Sequence, residues 1–346
     1  MSGNLYDAVR RGDESEVRRL LGCSTSDTYD MIHANTEFSG GHGTWHGVSA
    51  TLCLAAYQGH EGFVALLLDR GADVNAVGHM YGAALGVAIS QGFDGIVALL
   101  LNRGADVNTV GGTYGTALGV AAYKGHERIV NLLLDRGADV NAVGGTYGTA
   151  LGVAVYWGYE KIVDLLLDRG ADINNIIHAD GMYGTALGMA VYHGHEEIVN
   201  LLLDRGADAN IIGTYGAALG VAVYRGHEKI VTLLLDRRGD VNTGHRTGST
   251  YETVCAALDT AVYQGNAEIV NLLLDRVEDV NTVHVGSTYG TALGIAVSQN
   301  HNKIVTLLLD RGADINTKPM GSAYGTTLGI AVYHGHEEIV NCGNPS

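Results

Sequence analysis

Residues 112–141 read GTYGTALGVAAYKGHERIVNLLLDRGADVN, and this block returns with variations along almost the whole 346-residue chain. Its Gly-His step and the variants of that step fall at Gly59, Gly92, Gly125, Gly158, Gly194, Gly226, Gly265, Asn300 and Gly335, with a fainter copy at Gly12. Successive differences are 33, 33, 33, 36, 32, 39, 35 and 35 residues. Such a period marks a stacked-repeat protein, in which a recurring motif belongs first to the stacking unit. It also overrides the length prior of two or three globular domains, because each unit contacts only its neighbours.

The 112–141 block resolves into two helices. Gly112, Tyr114 and Gly115 signal a turn, and Thr116 is placed to N-cap a short helix from Ala117 to Lys124. Leu118, Ala121 and Ala122 stand at i, i+3 and i+4, one buried stripe whose alanines permit close helix approach. Gly125-His126 turns the chain. A second helix from Glu127 to Arg136 carries Ile129, Val130, Leu132, Leu133 and Leu134, a face wider than one neighbour can cover. Gly137 sits where a left-handed residue satisfies the last carbonyls, and Asp139, Val140 and Asn141 lead into a loop. A unit this small cannot bury its own apolar face, so stacking is obligatory.

These residues resemble the ankyrin repeat family, with its T-x-L-x-x-A-x-x-x-G-H and L-L-L-x-x-G-A-D-V-N signatures, from about Leu5 to Asn341. The resemblance implies an all-α repeat fold, an ankyrin-type curved solenoid of about ten helix pairs with projecting hairpin-like loops. It also implies protein–protein recognition on the concave face made by first helices and loop tips.

The chain departs from the family pattern in places. Gly86, Gly119, Gly152, Gly188, Gly220, Gly294 and Gly329 replace the usual His of T-P-L-H, while Cys53 and Asp259 fill that position in two other copies. Read as mid-helix glycines, they predict a softer array, at about 0.5–1 kcal/mol each against Ala. Arg238 and Val277 replace the helix-ending Gly, so those C-caps are expected to be reshaped or frayed. Residues 238–281 are therefore the predicted softest segment.

A single array over 1–346 is expected. It opens with a capping helix pair at 1–21 in which Leu5, Ala8, Val9, Val17, Leu20 and Leu21 point inward. A long loop insertion occupies 22–49, and the remaining repeats fill 50–346. Smaller insertions lie at 176–182, 243–252, 284–286 and 318–322. The last second helix, starting at His336, reads as cut short, which suggests either a short final helix or a longer parent array.

Two tyrosine ladders are candidates for function. Tyr81, Tyr114, Tyr147, Tyr183, Tyr215, Tyr289 and Tyr324, with Tyr251 displaced, lie at loop tips and read as packing between units. Tyr57, Tyr123, Tyr156, Tyr192, Tyr224, Tyr263 and Tyr333 end the first helices, with Ser90 and Ser298 as exceptions. By resemblance this second ladder occupies a contact position, and the residue after it varies freely. Tyr offers large area at low entropic cost plus a hydroxyl. The candidate partner-binding set is Tyr123, Lys124, Tyr156, Trp157, Tyr192, His193, Tyr224, Arg225, Tyr263 and Gln264.

Chemistry finds little support. His60, His126, His195, His227 and His336 hold the Gly-His turn, where structural hydrogen bonding is expected. His33, His42 and His46 near Cys23 and Cys53 form at most a weak zinc pattern. His195-Glu-Glu-Ile-Val lacks the second His of H-E-x-x-H, and no G-x-S-x-G or phosphate-loop sequence occurs. Recurring pairs such as Asp69/Arg70, Asp135/Arg136 and Asp204/Arg205 read as a solvated edge. A non-enzymatic scaffold without cofactor or metal follows; the alternatives are an enzyme with its site under an insertion, and a fragment of a larger ankyrin-containing regulator.

A net charge of −16 argues against nucleic acid and makes a basic or mixed partner surface the easier one. Four scattered cysteines suit reduced thiols. The charged, amphipathic start predicts no secretory signal, and no stretch approaches about 18 apolar residues. The expectation is a monomer, soluble and intracellular (cytoplasmic or nuclear), that binds a protein or peptide and no membrane.

Overall fold

The computed structural model describes residues 5–22, 48–79, 82–108, 115–145, 148–175, 184–212, 217–237, 250–277, 279–282, 289–317 and 325–336. The chain divides into two compact units, Met1–Asp180 and Gly181–Ser346. The insertion core at 23–47, the loops at 176–182, 284–286 and 318–322, Arg238, and the tip tyrosines except Tyr251 and Tyr289 lie outside the described residues. So does the chain beyond His336.

The first unit contains five helix pairs among its described residues: α1 (Leu5–Arg11) with α2 (Glu14–Gly22), α3 (Val48–Tyr57) with α4 (Glu61–Asp69), α5 (Ala84–Gln91) with α6 (Asp94–Asn102), α7 (Ala117–Lys124) with α8 (Glu127–Asp135), and α9 (Ala150–Tyr156) with α10 (Glu160–Asp168). The second contains α11 (Ala186–His193) with α12 (Glu196–Asp204), α13 (Ala218–Arg225) with α14 (Glu228–Asp236), α15 (Thr250–Gln264) with α16 (Ala267–Leu274), α17 (Ala292–Ser298) with α18 (Asn302–Asp310), and then α19 (Thr327–His334). Within each unit first helices pack on first helices, as α5 on α7, and second helices on second helices, as α14 on α16. Between the second and third pairs, β1 (Val77–His79) and β2 (Gly82–Ala83) form an antiparallel hairpin with Val77 opposite Ala83.

The repeat's own residues explain these boundaries. Thr116, Thr149, Thr185, Thr291 and Thr326 each take extended backbone and accept a hydrogen bond from the N–H three residues on. That satisfies one donor of the first turn. Gly125 then takes φ 71°, and the N–H of His126 donates to Ala121 O at 3.1 Å, closing the first helix.

The core is the alanine-rich stripe of the first helices against the Ile-Val-x-x-Leu face of the second. Leu118, Ala121, Ala122, Ile129, Val130 and Leu133 are buried, whereas Leu132 and Leu134 are only half-buried, so the second-helix face is narrower than its composition suggests. In the capping pair Leu5, Ala8, Val9, Val17 and Leu21 are buried and Leu20 is half-buried.

Two expectations need correction. The glycines at the family's His position are not mid-helix. Gly119, Gly152, Gly188, Gly294 and Gly329 lie in the first turn and donate to the capping threonine. A Cβ on Gly294 would fall 2.2 Å from Tyr289 O, so close approach of the tip backbone accounts for the missing side chain there. The stretch 243–252 is not all loop: α15 begins at Thr250 and runs 15 residues. The Asp-Arg steps lie on a solvated edge, as expected, and there they also link successive repeats: Arg103 meets Asp69 at 2.8 Å, Arg169 meets Asp135 at 3.0 Å and Arg311 meets Asp275 at 2.9 Å.

The reshaped cap at Val277 is observed. α16 ends at Leu274 and is one residue shorter than the other second helices of its unit, with Arg276 N–H donating to Leu273 O at 3.0 Å. Val277 thus avoids the left-handed region, and among the described residues the positive-φ non-glycine is Asn300 at φ 58°.

Asparagines stitch the loops together. Asn141 Oδ1 accepts from Asp172 N–H at 2.8 Å, and its Nδ2 donates to Gly170 O at 3.2 Å. Asn75, Asn108 and Asn281 repeat both bonds one repeat apart.

Candidate functional site

The alternation of buried alanines with a helix-ending Tyr places the second tyrosine ladder where each first helix meets its glycine turn. In the first unit, Tyr123 and Tyr156 are half-buried and flank the ring of Trp157, 43% exposed. Both tyrosines meet that indole edge-on, with centroids 5.4 Å away and interplanar angles of 77° and 71°. Lys124 Nζ lies 5.3 Å from the Tyr123 centroid. α9 stops at Tyr156, and Trp157 is its C-cap.

The second unit carries its own stretch. The Arg225 guanidinium stands 4.5 Å from the Tyr192 centroid, a cation–π distance, while its Nε donates to Tyr192 O at 3.2 Å. Gln264 Nε2 donates to Tyr224 O at 3.0 Å. Tyr224 and Tyr263 are 54% and 61% exposed. His193 packs edge-on against Tyr192 and stacks on His195 at 5.8 Å.

The variable position therefore has a second duty that its sequence does not advertise. Gln58, Arg225 and Gln264 each donate to a last-turn carbonyl of the preceding first helix, of Arg10, Tyr192 and Tyr224 respectively. Last-turn carbonyls have no intrahelical donor, and a side-chain N–H supplies one.

A further contact recurs behind the ladder. At several turns the ring at the His position lies on the preceding turn's glycine, His126 on Gly92, Tyr159 on Gly125, His227 on Gly194 and His301 on Gly265, whereas Asn266 holds that position without a ring. His227 and His301 also contact Tyr192 O and Tyr263 O through Nε2, at 3.4 and 3.3 Å. The signal for this was present in the sequence, since Phe93 and Tyr159 stand where other copies have His. A ring, not a titrating group, is what Phe93, His126, Tyr159, His227 and His301 share.

Burial holds the His126 imidazole below its usual pKa, aided by Lys124 and opposed by Asp94. Burial lowers that of His193 as well, aided by His195 and Arg225. Among the described residues no three His, Cys, Asp or Glu side chains converge as metal ligands do. The proposed zinc pattern of His33, His42 and His46 with Cys23 lies outside those residues, and Cys53 is buried. Among the described residues no helix is long and apolar enough to cross a membrane.

No curated protein matches the chain. The family model for ankyrin repeats (3 copies) matches residues 5–111, 85–177, 175–245 and 258–342. Ankyrin repeats are generally protein–protein interaction modules. With its helix pairs, capped first turns and glycine turns, this chain belongs to the ankyrin repeat family.

Proposed function

We propose that this protein is a non-enzymatic scaffold or adaptor that holds a protein or peptide on its first-helix ends, in the cytoplasm or nucleus. The observation that carries the reading is the exposure of Trp157 at a first-helix end of the first unit, and of Tyr224 and Tyr263 at first-helix ends of the second, where Arg225 and Gln264 already serve the fold. Large aromatics left in water on a well-packed scaffold are the residues from which binding hot spots are made. The contact set is Tyr123, Lys124, Tyr156 and Trp157 in the first unit, and Tyr192, His193, Tyr224, Arg225, Tyr263 and Gln264 in the second.

Affinity purification from native lysate tests this, with Tyr123→Ala/Trp157→Ala and Tyr224→Ala/Tyr263→Ala run beside the wild type. At least one specific partner should fall about tenfold or more, as expected for loss of a hot-spot contact worth over 1.4 kcal/mol. Equal recovery by all three proteins overturns the assignment.

A further inference from the structure

Successive second helices are cross-linked by charge. Arg103 meets Asp69 across the joint between α4 and α6, and Arg169 meets Asp135 across that between α8 and α10. In the second unit Arg237, Arg276 and Arg311 meet Asp204, Asp236 and Asp275 in the same way. The joint between α6 and α8 is different. Asn102 stands where the others have Asp, so Arg136 finds no carboxylate at that place. Ala98 stands where Asn131 accepts from Arg169, which removes a second anchor.

The turn side of the same joint is short of a hydrogen bond. His227 and His301 contact Tyr192 O and Tyr263 O of the preceding first helix through Nε2. His126 holds the same place in its turn, yet its Nε2 is buried without a hydrogen-bond partner among the described residues. At the joints on either side, Phe93 and Tyr159 present ring carbons instead. In the loops, Asn108 Nδ2 reaches Gly137 O at 3.5 Å, against 3.3 Å from Asn75 to Gly104 and 3.2 Å from Asn141 to Gly170. The imidazole weighs most. An exposed ion pair contributes little, whereas a buried nitrogen without a partner loses its hydration and gains nothing in return.

We infer that, of the three joints between α3 and α10, the one joining α6 to α8 opens first, so that α7–α10 parts from α3–α6 as a separate block. In a stacked array stability is a sum of repeat and neighbour-interface contributions, and the chain divides where an interface is weakest. Tyr123, Lys124, Tyr156 and Trp157 all belong to the α7–α10 block, so the aromatic stretch of the first unit stays whole when the joint opens.

Three amides read the three joints. Asp106, Asp139 and Asp172 donate to Asn75, Asn108 and Asn141 of the preceding repeat, each at 2.8 Å. Each closes a Gly-Ala-Asp triplet, so their intrinsic exchange rates are the same. Hydrogen exchange of the full chain at neutral pH, followed amide by amide, should be about tenfold or more faster at Asp139 than at Asp106 or Asp172. His126→Phe, which copies the ring of Phe93, should slow Asp139 by about tenfold and leave the other two unchanged. Asn102→Asp, which restores the carboxylate, should slow it by about two- to fivefold. Exchange at Asp139 no faster than at its counterparts, or a rate that neither variant slows, would overturn the inference.

Discussion

The imidazole of His227 lies on Gly194 of the preceding turn, so close that a Cβ there would meet its Cε1 at 2.9 Å. Gly194 also takes φ 76°, so the residue is glycine for two separate reasons. Gly226 has nearly the same backbone, φ 72°, but its nearest neighbour is Asn266 Nδ2 at 3.9 Å. Gly226→Ala should cost about 1 kcal/mol, the strain of a left-handed alanine alone. Gly194→Ala should cost about 2–3 kcal/mol, because the ring must move as well. Urea unfolding of the two variants checks the difference; equal losses would mean that the ring contact contributes nothing.

Much of the fold was legible because its signals are local. Thr116 with Ala117–Lys124 contains a cap, an apolar stripe and a glycine stop within ten residues, and the helix falls where those signals place it. The site was legible only in outline. That Arg225 reaches Tyr192 O, or that Arg103 pairs with Asp69, depends on a neighbour about one period away, brought close only by stacking. The glycines of the first turn misled for a related reason: the carbonyl that crowds Gly294 belongs to a tip whose path the sequence leaves open.

Among the first helices whose N-caps are described, two lack the capping hydroxyl. Ala83 and Ala217 sit at the N-cap without a side-chain bond, where five other repeats use Thr. Ala217→Thr should raise stability by about 0.5–1 kcal/mol, and Thr116→Ala should lower it by about 1 kcal/mol. Thermal melts that fail to move in opposite directions would count against this account of the first turn.

The loop asparagines each hold two backbone groups of the following repeat. Asn141→Ala removes the bonds to Asp172 N–H and Gly170 O and should cost about 1–3 kcal/mol. Asn141→Asp keeps the acceptor and should cost less. Amide hydrogen exchange at Asp172 reads the acceptor half directly: exchange should quicken in the alanine variant and stay slow in the aspartate one.

Acid should weaken the fold in two windows. His126 and His193 have pKa values lowered by burial, whereas in the unfolded chain each returns to about 6.5. The unfolded chain then binds more protons, so this stability is complete above about pH 6.5 and is lost as pH falls through the folded-state values. Glu268, held low by its hydrogen bond from Lys303, loses its contribution only in the more acidic carboxylate range. Unfolding free energy measured from pH 7.5 downward should show both declines, and His126→Gln should shrink the first. An unchanged profile in that variant would remove His126 from the explanation.

The central claim is that the first-helix ends form the binding surface, and site-specific photo-crosslinking tests it most directly. A benzophenone side chain would replace Tyr224 in one protein and Thr306, exposed on second helix α18, in another. The account predicts a discrete crosslinked protein from position 224 and none from position 306. The same adduct from both positions, or one from 306 alone, would contradict it.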